Sequence, residues 1–456
     1  VLRSFAAPGF EDLLVGAFER RLAGRPRTRE EKVAAGRTSK GLLALTTAVL
    51  ALVAGGCGGD PGGGSNTLTW FIFNEPSASP QTAAEKCSKE SGGEYEIEFE
   101  FLPADADGQR EQLVRRLGAE DDSIDLIGMD VIWTGEFASA EWIVPVPEAT
   151  AQVVSKDVFP SVLETAKFEG ELYAAPLWSN TELLWYRSDL VKRPPKTWDE
   201  MIDEAESLKP GENLIQVQAN KYEGLVVWFN QMVASAGGQI LAGPQELALP
   251  RAETERALEV MGRLSTSDAA DPAITTSQED PNRLAFQTGS SAFMINYPFV
   301  YPSAEAEAPD IFKVMKAAKY PAIDPGTPSA PPLGGVNLGV SAFSQNQDLA
   351  WKAVECLVGA ENQIATASAG GLPPVREDLY DSKEIKKVYP GFSQIIRKSI
   401  ADAAARPSES PAYQDISLAI QTAVHPTTDI DPEDPSVTYD DLRELLEQAI
   451  NREGLL

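Results

Sequence analysis

The sequence predicts an α/β protein of two lobes, and three observations carry that reading. Short apolar strand-like runs alternate with amphipathic helical patterns along most of the chain. A β-α-β-α-β series opens the patterned part. The same alternation then restarts from about Ser179.

In order, Leu68-Thr-Trp-Phe-Ile-Phe73 is a compact apolar run that breaks at Asn74-Glu75-Pro76. A helical pattern over Gln81–Ser91 leads to Tyr95-Glu-Ile-Glu-Phe-Glu-Phe101, whose period of two marks a strand. A second helix, about Gly108–Leu117, precedes the strand Ile124–Met129. In the restarted half, Leu183-Leu-Trp-Tyr186 reads as a strand, Trp198–Ser207 and Glu223–Ala236 as helices, and Ser290–Asn296 as a strand. Thr197 is placed as an N-cap with Glu200 as its capping-box partner. The Pro- and Ala-rich stretch 298–332 reads as a lobe crossover, because the strand-like Gly335-Val-Asn-Leu-Gly-Val340 follows at once. Helices dominate from there to the end. The apolar runs end at polar residues, and in open α/β sheets ligands sit outside the carboxyl ends of strands.

The 456 residues suffice for two or three domains, and with 43% hydrophobic residues they can bury substantial cores. The formal charge is −29. Such a surface repels phosphate backbones and carries no basic stripe, which excludes nucleic acid as a partner.

The N-terminal region reads as an export signal. Arg37 and Lys40 precede an apolar run over 41–56 that is short for a membrane span, and Cys57 follows Ala54-Gly55-Gly56. This order resembles the bacterial lipobox, in which small residues admit the signal peptidase and the cysteine thiol receives a lipid. Cys57 is therefore the expected lipidation site and first mature residue, with residues 57–66 a flexible tether. The Arg-rich residues 1–36 are expected to lie upstream of the true translation start. Removing residues 1–56, with nine basic and five acidic side chains, takes the charge to −33. The other cysteines are Cys87 and Cys356. Outside the membrane paired thiols tend to oxidise, so a Cys87–Cys356 disulfide is expected, the alternative being two separately buried thiols.

Several segments, in order, resemble the family 1 extracellular solute-binding proteins, the maltose-binding-protein-like group. They are Leu172-Tyr-Ala-Ala-Pro176, Leu184–Leu190, Pro194-Pro-Lys-Thr-Trp-Asp-Glu-Met201, Ala285–Met294, Gly334–Ser341, Ala350-Trp-Lys-Ala353 and Gly371-Leu-Pro-Pro-Val-Arg376. Three more segments, Leu126–Phe137, Asn180–Arg187 and Ala219–Asn230, resemble the trehalose-binding lipoproteins of mycobacteria, as do both remaining cysteines. The resemblance implies a type II periplasmic-binding-protein fold with a ligand cleft between the lobes. Its expected boundaries are a leader over 1–56, the tether over 57–66, the first lobe over 67–178 and the second over 179–288. A return to the first lobe over 289–343 follows, then a return to the second with C-terminal helices over 344–456.

It also implies a function: capture of an α-glucosidic disaccharide, trehalose or a related sugar, for an ABC importer. The partners would be permease subunits with a separate ATPase and, through the lipid, the outer face of the cell membrane. The chain would act as a monomer without cofactor, metal or catalytic residue. Carried over by position, the ligand set is Asn74 or Glu75, Gln109, Asp130, Asn180, Glu279, Tyr297, Gly335 and Arg406. The chemistry suits a sugar, whose hydroxyls need carboxylates and amides and whose C–H faces need rings. Two positions depart from the mycobacterial pattern: Tyr297 stands where those proteins have tryptophan, and Glu75 where they have aspartate. Trp185, Tyr186 and Trp228 sit in apolar runs and read as core, and Trp133 reads equally as core or sugar platform.

Other readings are weaker. Two carboxylates can always be chosen from 68 acidic residues, so their abundance does not argue for a glycosidase. A lone histidine, His425, supports neither a His-based triad nor a multi-histidine zinc site. Another oligosaccharide, a polyol or a glycerophosphodiester keeps the fold and changes the ligand.

Overall fold

The computed structural model describes residues 66–451. The leader, Cys57 and nearly all of the tether lie outside the described residues. The strands that frame the site are, in chain order, β1 (Thr67–Phe73), β2 (Glu96–Leu102), β3 (Leu126–Asp130), β4 (Ala175–Asn180), β5 (Leu183–Arg187), β6 (Leu214–Gln216), β7 (Ser291–Asn296), β8 (Met315–Ala318) and β9 (Gly334–Val340).

They form two sheets. The first has the order β2-β1-β3-β9-β4, with β1 parallel to β2 and β3 and with β9 antiparallel to β3 and β4. The second has the order β8-β5-β7-β6, with only β7 and β6 parallel. Alternation along each strand fills both faces. Leu68, Trp70 and Ile72 of β1 enter one core cluster with Leu126 and Leu338, while Phe71 enters another with Ile127 and Met129. In the second sheet Leu184, Phe293 and Ile295 face one cluster, and Leu183, Trp185 and Met294 the opposite one. Each fully buried aliphatic or phenylalanine side chain contributes roughly 1.5–3 kcal/mol. Burial on both faces is why these strands read as apolar runs, and β2, at the sheet edge, is the strand that shows alternation.

Helix starts follow local chemistry. The Thr197 hydroxyl accepts from Glu200 N–H at 3.2 Å, as the sequence suggests. The return bond differs: the Glu200 carboxylate takes the N–H of Lys196 at 2.8 Å, one residue before the cap.

The sheet pairing moves two boundaries. Segment Ala285–Met294 was expected to re-enter the first lobe, yet β7 pairs with β5 and β6, and β8 also pairs with β5. The return to the first sheet comes at β9, not at residue 289. Nor do residues from 344 onward go straight to the second lobe. Helix Gln347–Leu357 packs its Ala350, Trp351 and Val354 into the first-sheet core, while helices Tyr413–Val424 and Ser436–Asn451 complete the second. In both cases a short apolar run fits either sheet, and pairing partners decide.

Cys87, in helix Ser79–Glu90, and Cys356, in helix Gln347–Leu357, are joined by a disulfide across a sequence separation of 269. Both helices pack on the first sheet, so the bridge ties the beginning of that lobe to its end. Replacing both cysteines by serine is expected to cost roughly 2–5 kcal/mol, the usual range for a native disulfide. A urea titration reads this as a lowered midpoint with native circular dichroism retained at zero urea; an unchanged midpoint would contradict it.

Candidate functional site

The carboxyl end of β3 and the two-residue link from β4 to β5 lie where the first sheet gives way to the second. Asp130 ends β3, and its carboxylate accepts from Ile132 N–H at 3.2 Å and from Arg406 Nη2 at 2.9 Å. Arg406 Nη1 donates to Glu223 Oε1 at 2.6 Å. Glu223 opens helix Glu223–Ser235 on the second-sheet side, so Arg406 bridges the two halves. The Tyr413 hydroxyl also donates to Glu223, and Ser417 donates to it at 2.6 Å. Burial pushes the Glu223 carboxyl up, opposed chiefly by the Arg406 charge. Asp107, at the start of helix Ala106–Leu117, faces the same place. Burial raises its carboxyl, and the Gln414 amide and the Glu223 backbone N–H pull it back down.

A second group lies around Tyr297. Burial raises its phenol well above the ordinary range, followed by the charges of Glu182 and Glu279, with Arg406 and Asp130 also within range. Glu279 opens helix Glu279–Gln287; burial raises its carboxyl, while its own backbone N–H and the Tyr222 hydroxyl lower it. Glu182 is 2% exposed. From the end of β4 through the link to β5, Ser179 Oγ, Asn180 Oδ1, Thr181 Oγ1 and Glu182 Oε2 are buried without a hydrogen-bond partner among the described residues, and so is Arg406 Nε.

Of the residues nominated from sequence, Asp130, Glu279, Tyr297 and Arg406 therefore share one electrostatic neighbourhood. Asn180 and Gly335 join them through the first sheet, where Gly334 pairs with Asn180 and Val336 with Asp130. Gly335 has φ +136°, and a Cβ there would sit 2.3 Å from the Trp178 carbonyl, so the position admits only glycine without rebuilding. Its carbonyl accepts from Val131 N–H at 3.3 Å. Arg406 is both a junction residue and the partner of two acidic neighbours.

The others are less engaged. Gln109 is buried, and its amide donates to the Ala104 carbonyl at 3.0 Å. Glu75 is buried in its own turn, accepting from the Ser77 N–H at 3.0 Å, the Ser77 hydroxyl and the Ser79 hydroxyl. Asn74 is exposed and accepts from Gln81 at 3.2 Å. Trp133 is core, 2% exposed and stacked on Phe137. Trp185 and Trp228 are core too.

Sequence reasoning missed Asp107, Glu182, Tyr222, Glu223 and Tyr413. Glu182 and Glu223 stand inside segments that carry the family resemblance, at Asn180-Thr-Glu182 and Tyr222-Glu-Gly224. An acid at a helix start also reads as an ordinary complement to the helix dipole, which masks Glu223 and Asp107.

Comparison with known proteins decides the family. Residues 82–390 match the family described as bacterial extracellular solute-binding protein. The chain belongs to that family. A relative of this solute-binding protein from Deinococcus radiodurans, named a probable ABC transporter-binding protein, is 29% identical over 340 residues, 71% of this chain and 80% of its own. A maltotriose-binding protein from Pyrococcus abyssi is 27% identical over 276 residues, 58% of each chain. The maltose-bound MalE3 of T. maritima shares the fold, with a TM-score of 0.75 and 24% identity, covering 84% of this chain and 98% of its own. Among the described residues no helix is long and apolar enough to cross a membrane.

Arg406 is the keystone of the solute-binding protein's junction. Arg406→Ala strands the buried Glu223 carboxylate and frees the partly exposed Asp130, and breaking a buried pair such as Arg406–Glu223 costs roughly 3–5 kcal/mol. Denaturant unfolding should show that loss, and the double variant Arg406→Met with Glu223→Gln should recover part of it. Equal stability of Arg406→Ala and wild type would refute the bridge.

Proposed function

We propose that this solute-binding protein captures a sugar for an ABC importer, and that the sugar is an α-glucosidic disaccharide, trehalose or a related glucoside. The observation that carries the reading is the row of partnerless polar atoms on Ser179, Asn180, Thr181 and Glu182 at the junction of the two sheets. A buried polar group without a partner costs about 1–3 kcal/mol, and the hydroxyls of a sugar are the partners this row lacks. The maltotriose and maltose named for the relative and the structural neighbour are α-glucosides, which supports the same class. Trehalose rests on the segments that resemble the mycobacterial lipoproteins.

A phosphorylated ligand fits poorly. Arg406 is already committed to the carboxylates of Asp130 and Glu223, and the other titratable groups of the neighbourhood, Asp107, Glu182 and Glu279, are acids rather than cations. Phosphate recognition draws on free guanidinium groups or helix N-termini.

In this reading the sugar contacts residues of both halves, Asp130 and Asn180 from the first and Glu279 and Tyr297 from the second. Contacts that both halves make only when closed shift the hinge equilibrium toward the closed form, which docks on the permease. A lipid on Cys57 would hold the protein at the outer face of the cell membrane.

Two experiments test this. In a thermal-shift screen over trehalose, maltose, sucrose, polyols and glycerophosphodiesters, an α-glucoside should stabilise the protein most, and a polyol or phosphodiester in that place would sink the assignment. By calorimetry, Asn180→Ala should then weaken the best sugar by about 1–3 kcal/mol while leaving the melting temperature of the free protein nearly unchanged. In cells, Cys57→Ser should move the protein from the membrane fraction to the soluble exported fraction; retention at the membrane would exclude the anchor.

A further inference from the structure

Glu182 is a carboxyl in a place that suits an anion badly. It lies in the link between β4 and β5, is 2% exposed and forms no ion pair among the described residues. The groups around it are the Gln231 amide, the Glu279 carboxyl and the phenols of Tyr222, Tyr297 and Tyr320. The cation in this neighbourhood, Arg406, is held by Glu223 and Asp130. The Glu182 Oε2 has no hydrogen-bond partner among the described residues, and neither have the side-chain oxygens of Ser179, Asn180 and Thr181 that precede it.

The ligand chemistry sharpens the point. Sugar hydroxyls both donate and accept, but ring and glycosidic oxygens only accept, and a carboxylate offers them nothing. A subsite lined by the carboxyls of Asp130, Glu182 and Glu279 is rich in acceptors. An uncharged carboxylic acid supplies one more donor.

We propose that Glu182 is a specificity-determining group that binds the sugar as the uncharged acid, its O–H donating to a ring or glycosidic oxygen. This rests on the sugar-capture reading above and adds to it a residue, a protonation state and a direction of hydrogen bonding. Burial pushes the Glu182 carboxyl up to about 8, with the Gln231 amide opposing and the Glu279 charge adding to the rise. Tyr222, Tyr297 and Tyr320 are raised well above 10, so the phenols around Glu182 do not lose their protons in that window. Ionising Glu182 would remove the donor and place a second negative charge near Glu279, so the sugar is released as the pH rises.

The test uses the full exported domain, the tightest sugar from the screen and the variants Glu182→Gln and Glu182→Ala. Wild-type Kd should rise roughly tenfold or more between pH 7 and 9.5, as expected for one ionising group in that window. Glu182→Gln keeps an N–H donor in the same place, so its Kd at pH 7 should stay within about threefold of wild type and its pH profile should be flat. Glu182→Ala should bind weakly at every pH. A ligand-free arm reads the acid directly. Between the ordinary 4.5 and about 8 the folded chain keeps a proton that the unfolded chain has released. Stability should therefore fall as pH rises through that window. Relative to wild type, Glu182→Gln should gain melting temperature from pH 5 to pH 9.

A pH profile that Glu182→Gln shares with wild type, or a pH-independent wild-type Kd, overturns this proposal and leaves sugar capture standing. So does tighter binding as Glu182 ionises, which would mark an amine-bearing saccharide. Failure of every sugar to bind at any pH would overturn sugar capture and this proposal with it.

Discussion

The junction of the two halves depends on one buried guanidinium. Arg406 reaches Asp130 at the end of a first-sheet strand and Glu223 at the start of a helix packed on the second sheet. Taking such charges out of water is costly unless geometry and extra hydrogen bonds compensate. Here Tyr413 and Ser417 supply those bonds to Glu223. The helix that begins at Tyr413 belongs to both halves: Tyr413 sits in the core of the first sheet, and Ile416, Ala419 and Ile420 in that of the second. Charge pairing and apolar packing thus act on the same few residues. A substitution there disturbs both the charge pairing and the packing that hold the two halves together.

The site around this bridge is acidic beyond what one arginine offsets. Burial raises the carboxyls of Asp107, Glu182, Glu223 and Glu279, and of these Glu223 is the one paired with Arg406. A surface site with that composition would draw metal ions or cations. In an enclosed junction the same acids share protons and hydrogen bonds with neutral partners, which is the company that a polyhydroxylated ligand keeps.

Much of the architecture was readable from sequence because strands buried on both faces leave compact apolar runs. The reading of Leu68–Phe73 as a strand falls within one residue of β1, and Gly335–Val340 within one of β9. Sheet membership was not readable: nothing local in Ser291–Asn296 says whether it pairs with β3 or with β5, and the partner lies more than a hundred residues away. The site shows the same division. Asp130 and Asn180 follow apolar strands, so their place at a strand end is a local property. Glu182 and Glu223 acquire their character from neighbours distant in sequence, and in isolation they are ordinary acids. Asn74, nominated by position alone, stays in solvent.

The disulfide has a topological meaning beyond stability. Cys87 and Cys356 lie in two helices of the first lobe, and every strand of the second sheet comes from the chain between them. The second lobe is thus largely an excursion from a covalently closed ring, with only the later helices added from outside it. A protease that cuts a loop of that excursion leaves the two pieces of the first lobe tied together. For a protein working outside the cell, among hydrolases it cannot avoid, a single nick need not separate the lobe that carries the N-terminus from its own closing segments.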